Sequence, residues 1–505
     1  MKSNLPIGWS VVKIGDILSL SGGGTPSKHV TKYWNGNIFW ASVKDVKGKY
    51  LTQTQDTITE EGLKASATQL AEPGSVLMVT RMAPGRPIIT KVKTAINQDL
   101  KIVRPKLPLS PLFIYYAFLN YERKFLEIAS GTTVQGIRVQ DIYELEIPFP
   151  PLAEQERIVA QLEATMQKLE ASQERLEKLP KLLKKFRQAV LVAAVSGKLT
   201  EAWRAEQPQG ETAVELLNRI RLERHVLQQG KGLGKSNGNQ LALSEILQFD
   251  SESAEVIDTH ELPELPEGWI YDSVGNSIKI IDYRGRTPPF SGNDQDIPHL
   301  RSSNVKRGKI IWNDLAYVTE EVYAEFMTRG IPKVGDVLLT SEAPLGEVAM
   351  VPDQKFSLAQ RMMVLRPLPG LNSEFIKIQF MSEVVQTRLR NRGTGTMVTG
   401  IAAKHFKPMA IAIPPQAEQE EIVRQVNHYF DLADQLEVRF EQAAALVEQL
   451  PQALLAKAFS GQLVPQDPND EPAIDLLERL RSGGAAPAKS KRGRKAQPEA
   501  TPLFE

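Results

Sequence analysis

From Ile158 onward, apolar or small residues recur at alternating steps of four and three: Ile158, Leu162, Thr165, Leu169, Ser172, Leu176, Leu179, Leu183, Phe186, Val190. That is a heptad seam, and it predicts a long helix lying at a shallow angle against a second one. Shifting each position by 264 gives Ile422, Val426, Tyr429, Ala433, Leu436, Phe440, Ala443, Val447, Leu450 and Leu454, a second seam in the same phase. Glu154 and Glu156, like Glu418 and Glu420, fall in the first turn, where carboxylates favour the helix N-terminus. Pro180 and Pro451 lie inside the two patterns and are expected to kink or interrupt the helices. Two equal seams on one chain most simply pair with each other, and antiparallel, because the chain returns through other sequence between them. Ordinary bundle helices, or pairing with another protein, are the alternatives. At roughly 1.5 Å per residue the seam spans about 50 Å, roughly one and a half turns of duplex DNA.

Each seam follows a stretch of short β-rich runs closed by Gly and Pro turns, which predicts a mostly β domain. Pro73-Gly74 precedes a strand over 76–80, and Val334-Gly335 one over 337–341. Turns at Pro84-Gly85 and Leu345-Gly346 lead to strands at 87–92 and 347–352. Asn97-Gln98-Asp99 and Ala359-Gln360-Arg361 lead to strands ending in Arg104-Pro105 and Arg366-Pro367. A helix is expected from Ser110-Pro111 in one copy and from Asn372-Ser373 in the other, on capping grounds.

The whole chain therefore repeats. Leu5-Pro6-Ile7-Gly8-Trp9 returns as Leu265-Pro266-Glu267-Gly268-Trp269, and Ser196-Gly197-Lys198-Leu199 as Ser460-Gly461-Gln462-Leu463. The apolar framework matches while turn residues diverge: Trp40-Ala41-Ser42 against His299-Leu300-Arg301, and Thr80-Arg81 against Ser341-Glu342. One scaffold with two polar faces implies two ligands of one class.

Composition narrows this. The 505 residues carry a net charge of +1, which taken alone argues against nucleic acid. Residues 1–150 nevertheless hold 18 Lys and Arg against 12 Asp and Glu, whereas 241–262 holds six acidic residues and no Lys or Arg. Averaging hides a basic first domain. The absence of cysteine excludes disulfides and thiolate metal sites and fits a reducing cytoplasm. No apolar run approaches a membrane span, so no membrane partner is expected.

Several constellations fail. Gly230 to Ser236 imitates a phosphate loop but has Gln229 where the first glycine is required, and no strand before it, so it reads as linker. The Pro-Pro pairs at 150–151, 288–289 and 414–415 lack the arrangement of an amino-methyltransferase site. The six histidines are scattered without metal-ligand spacing. Segments 211–217 and 471–477 predict short amphipathic helices that lie on the rod or contact a partner. Residues 482–505 read as a disordered basic tail.

Two divergent β-rich domains, each followed by a helix opening on Ala153-Glu154-Gln155-Glu156 or Ala417-Glu418-Gln419-Glu420 and ending in Ser-Gly-x-Leu, resemble the specificity subunit of type I restriction–modification systems. The resemblance covers about residues 1–481. It implies an α+β fold with an internal pseudo-two-fold repeat: two mostly β target-recognition domains separated by a long antiparallel two-helix coiled coil. Divided accordingly, the chain has a recognition domain at 1–150, a spacer helix at 151–200 and a short helix with an acidic linker at 201–262. The second recognition domain takes 263–413, the second spacer 414–463, a short helix 464–481, and the tail the rest.

The resemblance further implies that each domain reads one half of a split, asymmetric site in double-stranded DNA, while the coiled coil sets the gap and docks two modification (methyltransferase) subunits. Motor-nuclease restriction subunits would join for cleavage. The chain itself would be non-catalytic and cytoplasmic, with S-adenosylmethionine, ATP and Mg²⁺ on its partners and no metal of its own. Residues able to meet phosphates or base edges are Thr25, Ser27, Lys28, Trp40, Ser42, Lys44, Arg81, Arg86 and Gln135 in the first domain. In the second they are Arg284, Arg286, Thr287, Arg301, Ser302, Asn304, Lys306 and Thr396. The alternatives are a methyltransferase or nuclease in its own right, and a coiled-coil scaffold whose β domains bind peptide or RNA.

Overall fold

A computed structural model describes residues 5–130, 135–207, 210–229, 262–283, 287–394 and 399–482. The chain falls into two compact units, one made of 1–177 with 442–505 and the other of 178–441. Each unit thus contains one β domain, the start of the long helix that follows it, and the end of the other long helix. The acidic linker up to Glu261, the phosphate-loop imitation and the tail from 483 lie outside the described residues.

In the first unit a five-stranded sheet runs in the order Leu18–Gly22, Leu100–Pro105, Val76–Val79, Pro87–Thr90, Tyr50–Leu51. A four-stranded sheet has Trp34–Ala41 and Thr94–Ile96 at its centre, in parallel. Val76–Val79 is buried throughout because both of its faces are covered. Alternate side chains go opposite ways. Val76 and Met78 join Phe113, Ile114, Phe118 and Phe125 of the helix Pro111–Ile128. Leu77 and Val79 meet Ala41, Ala71 and Ile96 of the smaller sheet.

The second unit repeats this with Ile278–Asp282, Met362–Pro367, Val337–Ser341 and Leu345–Met350 in one sheet and Ala316–Val318, Ile297–Leu300 and Ser357–Leu358 in another. Its helix differs. Where the first unit has Pro111–Ile128 unbroken, the second has Ser373–Met381 and then Glu383–Arg392. The side chain of Ser382 accepts from the backbone of Val385 and restarts the helix.

The long helices are Leu152–Val195 and Gln416–Phe459, 44 residues each, or about 66 Å. Both run through their proline, contrary to expectation: Pro180 and Pro451 sit inside continuous helix. The carbonyls that lose a partner belong to Leu176 and Val447, both only partly buried, so water can reach them. Pairing is antiparallel. In the first unit Ile158 and Leu162 share a core with Leu455, Ala458 and Phe459, and in the second Val190 and Leu191 share one with Ile422 and Val426.

The predicted seam is buried at Ile158, Leu162, Leu183, Ile422 and Val426, and partly exposed at Leu169, Leu176, Phe440 and Val447. Phe186 and Leu450 are exposed, at 36% and 41%, and so is Leu436, at 42%. The contact beside it is polar: Arg187 Nη2 meets Asp434 at 2.6 Å and Glu437 at 2.8 Å.

The sequence repeats converge on one junction in each unit. Trp9 donates its indole N–H to Glu154, buried at 1% exposure, and Gln466 donates to the same carboxylate. Gln466 also donates to the carbonyl of Gly461, whose α-carbon abuts Pro6. In the second unit Trp269 donates to Glu418, Arg204 donates to Glu418 and to the carbonyl of Gly197, and Gly197 abuts Pro266. The short helices Ala473–Arg481 and Ala213–Gln229 belong to the same junctions. Their first N–H groups donate to Gly8 and Gly268, each at 2.9 Å. Leu476 and Leu477 enter the first β domain's core, and Leu216 and Leu217 the second's. The first of these cores also takes in rod residues such as Ile158, Leu162 and Phe459, as expected of a helix lying on the rod.

Candidate nucleic-acid interface

The first unit's candidate residues divide into those a shared face collects and those the fold uses itself. Gly23 and Gly24 lead out of the strand Leu18–Gly22, and an added Cβ on Gly23 would stand 2.3 Å from the Ile96 carbonyl. This close approach lets Thr25 hydrogen-bond to Gln98. Asp99, next in the chain, accepts from Arg81 Nη1 at 3.4 Å and from Asn97 at 3.2 Å. Arg81 bridges antiparallel to Gly136, and Met82 N donates to the Gln135 carbonyl. Thr25 and Arg81 are thereby brought to Gln98 and Asp99, and Gln135 lies beside Met82, next to Arg81. Lys101 adds a cation there, its Nζ donating to the Gln98 carbonyl at 2.9 Å, and burial lowers its pKa. Ser27, Lys28 and Lys44 are exposed.

Three expected contact residues point elsewhere. Trp40 is a framework residue: it is 5% exposed, donates to the Gly24 carbonyl at 3.1 Å and stands edge-on to Trp34. Ser42 donates to Asp45 and caps its own turn. Arg86 faces Glu122 on the neighbouring helix.

In the second unit Thr287 and Lys306 are exposed, while Arg284, Arg286 and Thr396 lie outside the described residues. Ser302 and Asn304 are not surface readers. Ser302 is 7% exposed and donates to the Ala343 carbonyl at 2.8 Å. Asn304 is 4% exposed and donates to the carbonyls of Ile311 and Asn313. Polar side chains that answer nearby carbonyls this way shape a loop. Arg301 is exposed but donates to the Asp314 carbonyl.

The structure adds residues that sequence reasoning missed. Gln98, Asp99 and Arg361 occupy equivalent turns. The shared repeat contained the signal, because 97–99 aligns with 359–361, but the alternation there reads only as the approach to a strand. Arg361 lies 3.6 Å from Glu342, which bridges to Gly400 as Arg81 does to Gly136. Phe290, half-exposed, lies against the buried ring of His299 with 5.2 Å between centroids. Burial, aided by Arg301, pulls the His299 pKa down to about 4, so the ring is neutral beside Ser357. Among the described residues no group of three or more His, Asp or Glu is placed to hold a metal ion. No described helix is long and apolar enough to cross a membrane.

Comparison with known proteins falls on the same repeat. The family model described as "Type I restriction modification DNA specificity domain" matches twice, at residues 6–181 and 281–442. The chain is similar to the type I restriction enzyme EcoKI specificity subunit of Escherichia coli K12, 27% identical over 78% of this chain and 76% of that protein. It is also similar to the EcoDI specificity subunit of Escherichia coli, 24% identical over 97% and 98% of the two chains. The crystal structure of the HsdS subunit from Thermoanaerobacter tengcongensis shares the fold, with a TM-score of 0.51, 19% identity, and coverage of 91% of this chain and 99% of that one.

Proposed function

The chain belongs to the family of type I restriction modification DNA specificity domain proteins, and from this premise we propose how it works. Each β domain reads one half of a split, asymmetric site in double-stranded DNA. The paired helices hold the two readers a fixed rise and rotation apart, because half-site spacing is a geometric quantity. The chain itself is non-catalytic and cytoplasmic. Two modification subunits dock on it and carry S-adenosylmethionine, and restriction subunits bring ATP and Mg²⁺ chemistry.

One observation carries this reading. The same loop frame recurs in both domains with different polar groups on it: Thr25, Gln98, Arg81 and Asp99 in one, Glu342 and Arg361 in the other. A scaffold that needed its β domains only as bulk would not vary these turns on a constant frame. The exposed Lys28, Lys44 and Lys306 suit phosphates, which set register without carrying sequence. Trp40, Ser302 and Asn304 drop out of the reading set.

The test is co-expression with the cognate modification subunit in a methylation-free host and genome-wide mapping of methylated bases. A split asymmetric motif that disappears without this chain is the expected result. An assembled, active complex that leaves no new motif would refute it. Exchanging residues 1–150 for another recognition domain should change one half of the motif only.

A further inference from the structure

One ion pair occupies the same place in both units with its charges exchanged. In the first, Arg81 follows the strand Val76–Val79, and its partner Asp99 stands in the turn before Leu100–Pro105. In the second, the residue after the corresponding strand Val337–Ser341 is Glu342, and the arginine, Arg361, stands before Met362–Pro367. The backbone frame is the same. Thr80 N donates to the Asp99 carbonyl at 2.8 Å and Ser341 N to the Arg361 carbonyl at 2.9 Å. Ile137 N and Ile401 N complete the ladder on Thr80 and Ser341, each at 2.9 Å.

Stability alone is a poor reason for this arrangement. The arginine side chains are 56% and 45% exposed, and pairs in such positions contribute between zero and about 1 kcal/mol. Among the described residues each guanidinium has this one carboxylate as its polar partner. Beside that carboxylate about half of each arginine side chain stays open to solvent, with N–H groups that no described residue takes up. A planar fork left open in this way matches the O6 and N7 acceptors of a guanine in the major groove. A lysine in its place would offer only a point charge.

We propose that Arg81 and Arg361 are the specificity-determining guanidiniums of the two half-sites, each reading a guanine, with Asp99 and Glu342 as their positioning residues. Exchange of the charges moves the reading group from one strand end to its neighbour on a common frame. Two copies of one domain thereby come to read different sequences. The inference rests on the DNA-reading role proposed above.

The experiment uses the full chain with its modification subunit and maps methylation of the host genome for wild type, Arg81→Ala, Arg81→Lys, Arg361→Ala and the exchange Arg81→Glu with Asp99→Arg. Arg81→Ala should relax one guanine of one half-site, with roughly tenfold or greater loss of preference there, and leave the other half intact. Arg361→Ala should do the same to the other half. Arg81→Lys keeps the ion pair and the fold yet should still relax the position. The exchange variant should melt like wild type and read a changed first half. Alanine and lysine variants that keep the motif would overturn the inference, as would uniform weakening without relaxation, the mark of a phosphate contact. A wild-type complex with no split motif would overturn the DNA-reading role itself, and this inference with it.

Discussion

Trp269 donates its indole N–H to Oε2 of Glu418 at 2.8 Å, and so ties the start of the second β domain to the first turn of the helix that follows it. The other oxygen of Glu418 accepts from Thr200 at 2.7 Å and from Arg204 at 2.8 and 3.0 Å. Trp9 and Glu154 repeat the bond at 2.9 Å, but there the further donor is the neutral Gln466 at 3.2 Å. The two junctions are alike in shape and unlike in charge.

Their sensitivity to neutralisation should differ accordingly. Glu418→Gln leaves a partly buried guanidinium facing an amide, and should cost about 2–3 kcal/mol, the range for hydrogen bonds to charged groups. Glu154→Gln sets a neutral amide against the neutral Gln466, with no charge left uncompensated, and should cost about 1 kcal/mol. Calorimetry of the two variants reads this directly. Equal losses would show that Arg204 does not set the difference.

Gly461 has φ +75°, and an added Cβ would lie 2.2 Å from Pro6 Cγ. Gly461→Ala therefore meets both backbone strain and a ring that its own neighbours fix, and should destabilise by about 2–4 kcal/mol. Gly48→Ala is the control. Its φ is +70° with nothing within 4 Å of the added atom, so only about 1 kcal/mol is expected. Comparable midpoints in denaturant would remove the steric argument.

Pro180 is exposed within continuous helix. Pro180→Ala restores a donor and relieves the ring's clash, against a smaller gain of disorder in the unfolded chain. A stabilisation of about 2 kcal/mol is expected, seen as a higher melting temperature. A lower one would mean that the proline is needed for the helix's path.

His299 is held neutral by burial, its pKa down at about 4 against an ordinary 6.5. The unfolded chain thus binds a proton that the folded one refuses. Stability is complete above about pH 6.5 and falls as pH drops toward 4, by on the order of 3 kcal/mol over the window. His299→Asn should flatten this part of a stability-versus-pH curve. An unchanged slope would assign the loss to other groups.

Removing one heptad from each long helix should shorten the unread gap by about three base pairs, from roughly 1.5 Å per residue against about 34 Å per DNA turn. Both half-sites should keep their sequence. Methylation mapping checks it, and an unchanged gap would refute the spacer role.

Local periodicity carried much of the fold. Ile158, Leu162, Ile422 and Val426 are buried where the heptads place them, and the strand ending at Arg366-Pro367 is found at Met362–Pro367. Leu436 departs from the seam because period reports which face is apolar, not what stands opposite, and its neighbours Asp434 and Glu437 take up Arg187 of the other helix. The junctions were visible only as separate repeats. Nothing local in Leu-Pro-x-Gly-Trp says that its tryptophan answers a glutamate 145 residues away. The reading face was least legible. Ser302 and Asn304 have the composition of base readers, but their side chains answer carbonyls that only the folded loop brings near.

The first unit is built from two stretches of chain that the 264 residues of the second unit (178–441) separate. Its core includes Leu455, Phe459, Leu476 and Leu477. During synthesis the first β domain must therefore wait for the last helices, roughly 15–50 s at ribosomal rates of about 5–20 residues per second, whereas the second can close as soon as its own contiguous stretch has emerged. The domain made first is finished last. Meanwhile Trp9, Phe113 and Phe149 lack the late-made part of their cover, and apolar surface left open for that interval invites association with other chains.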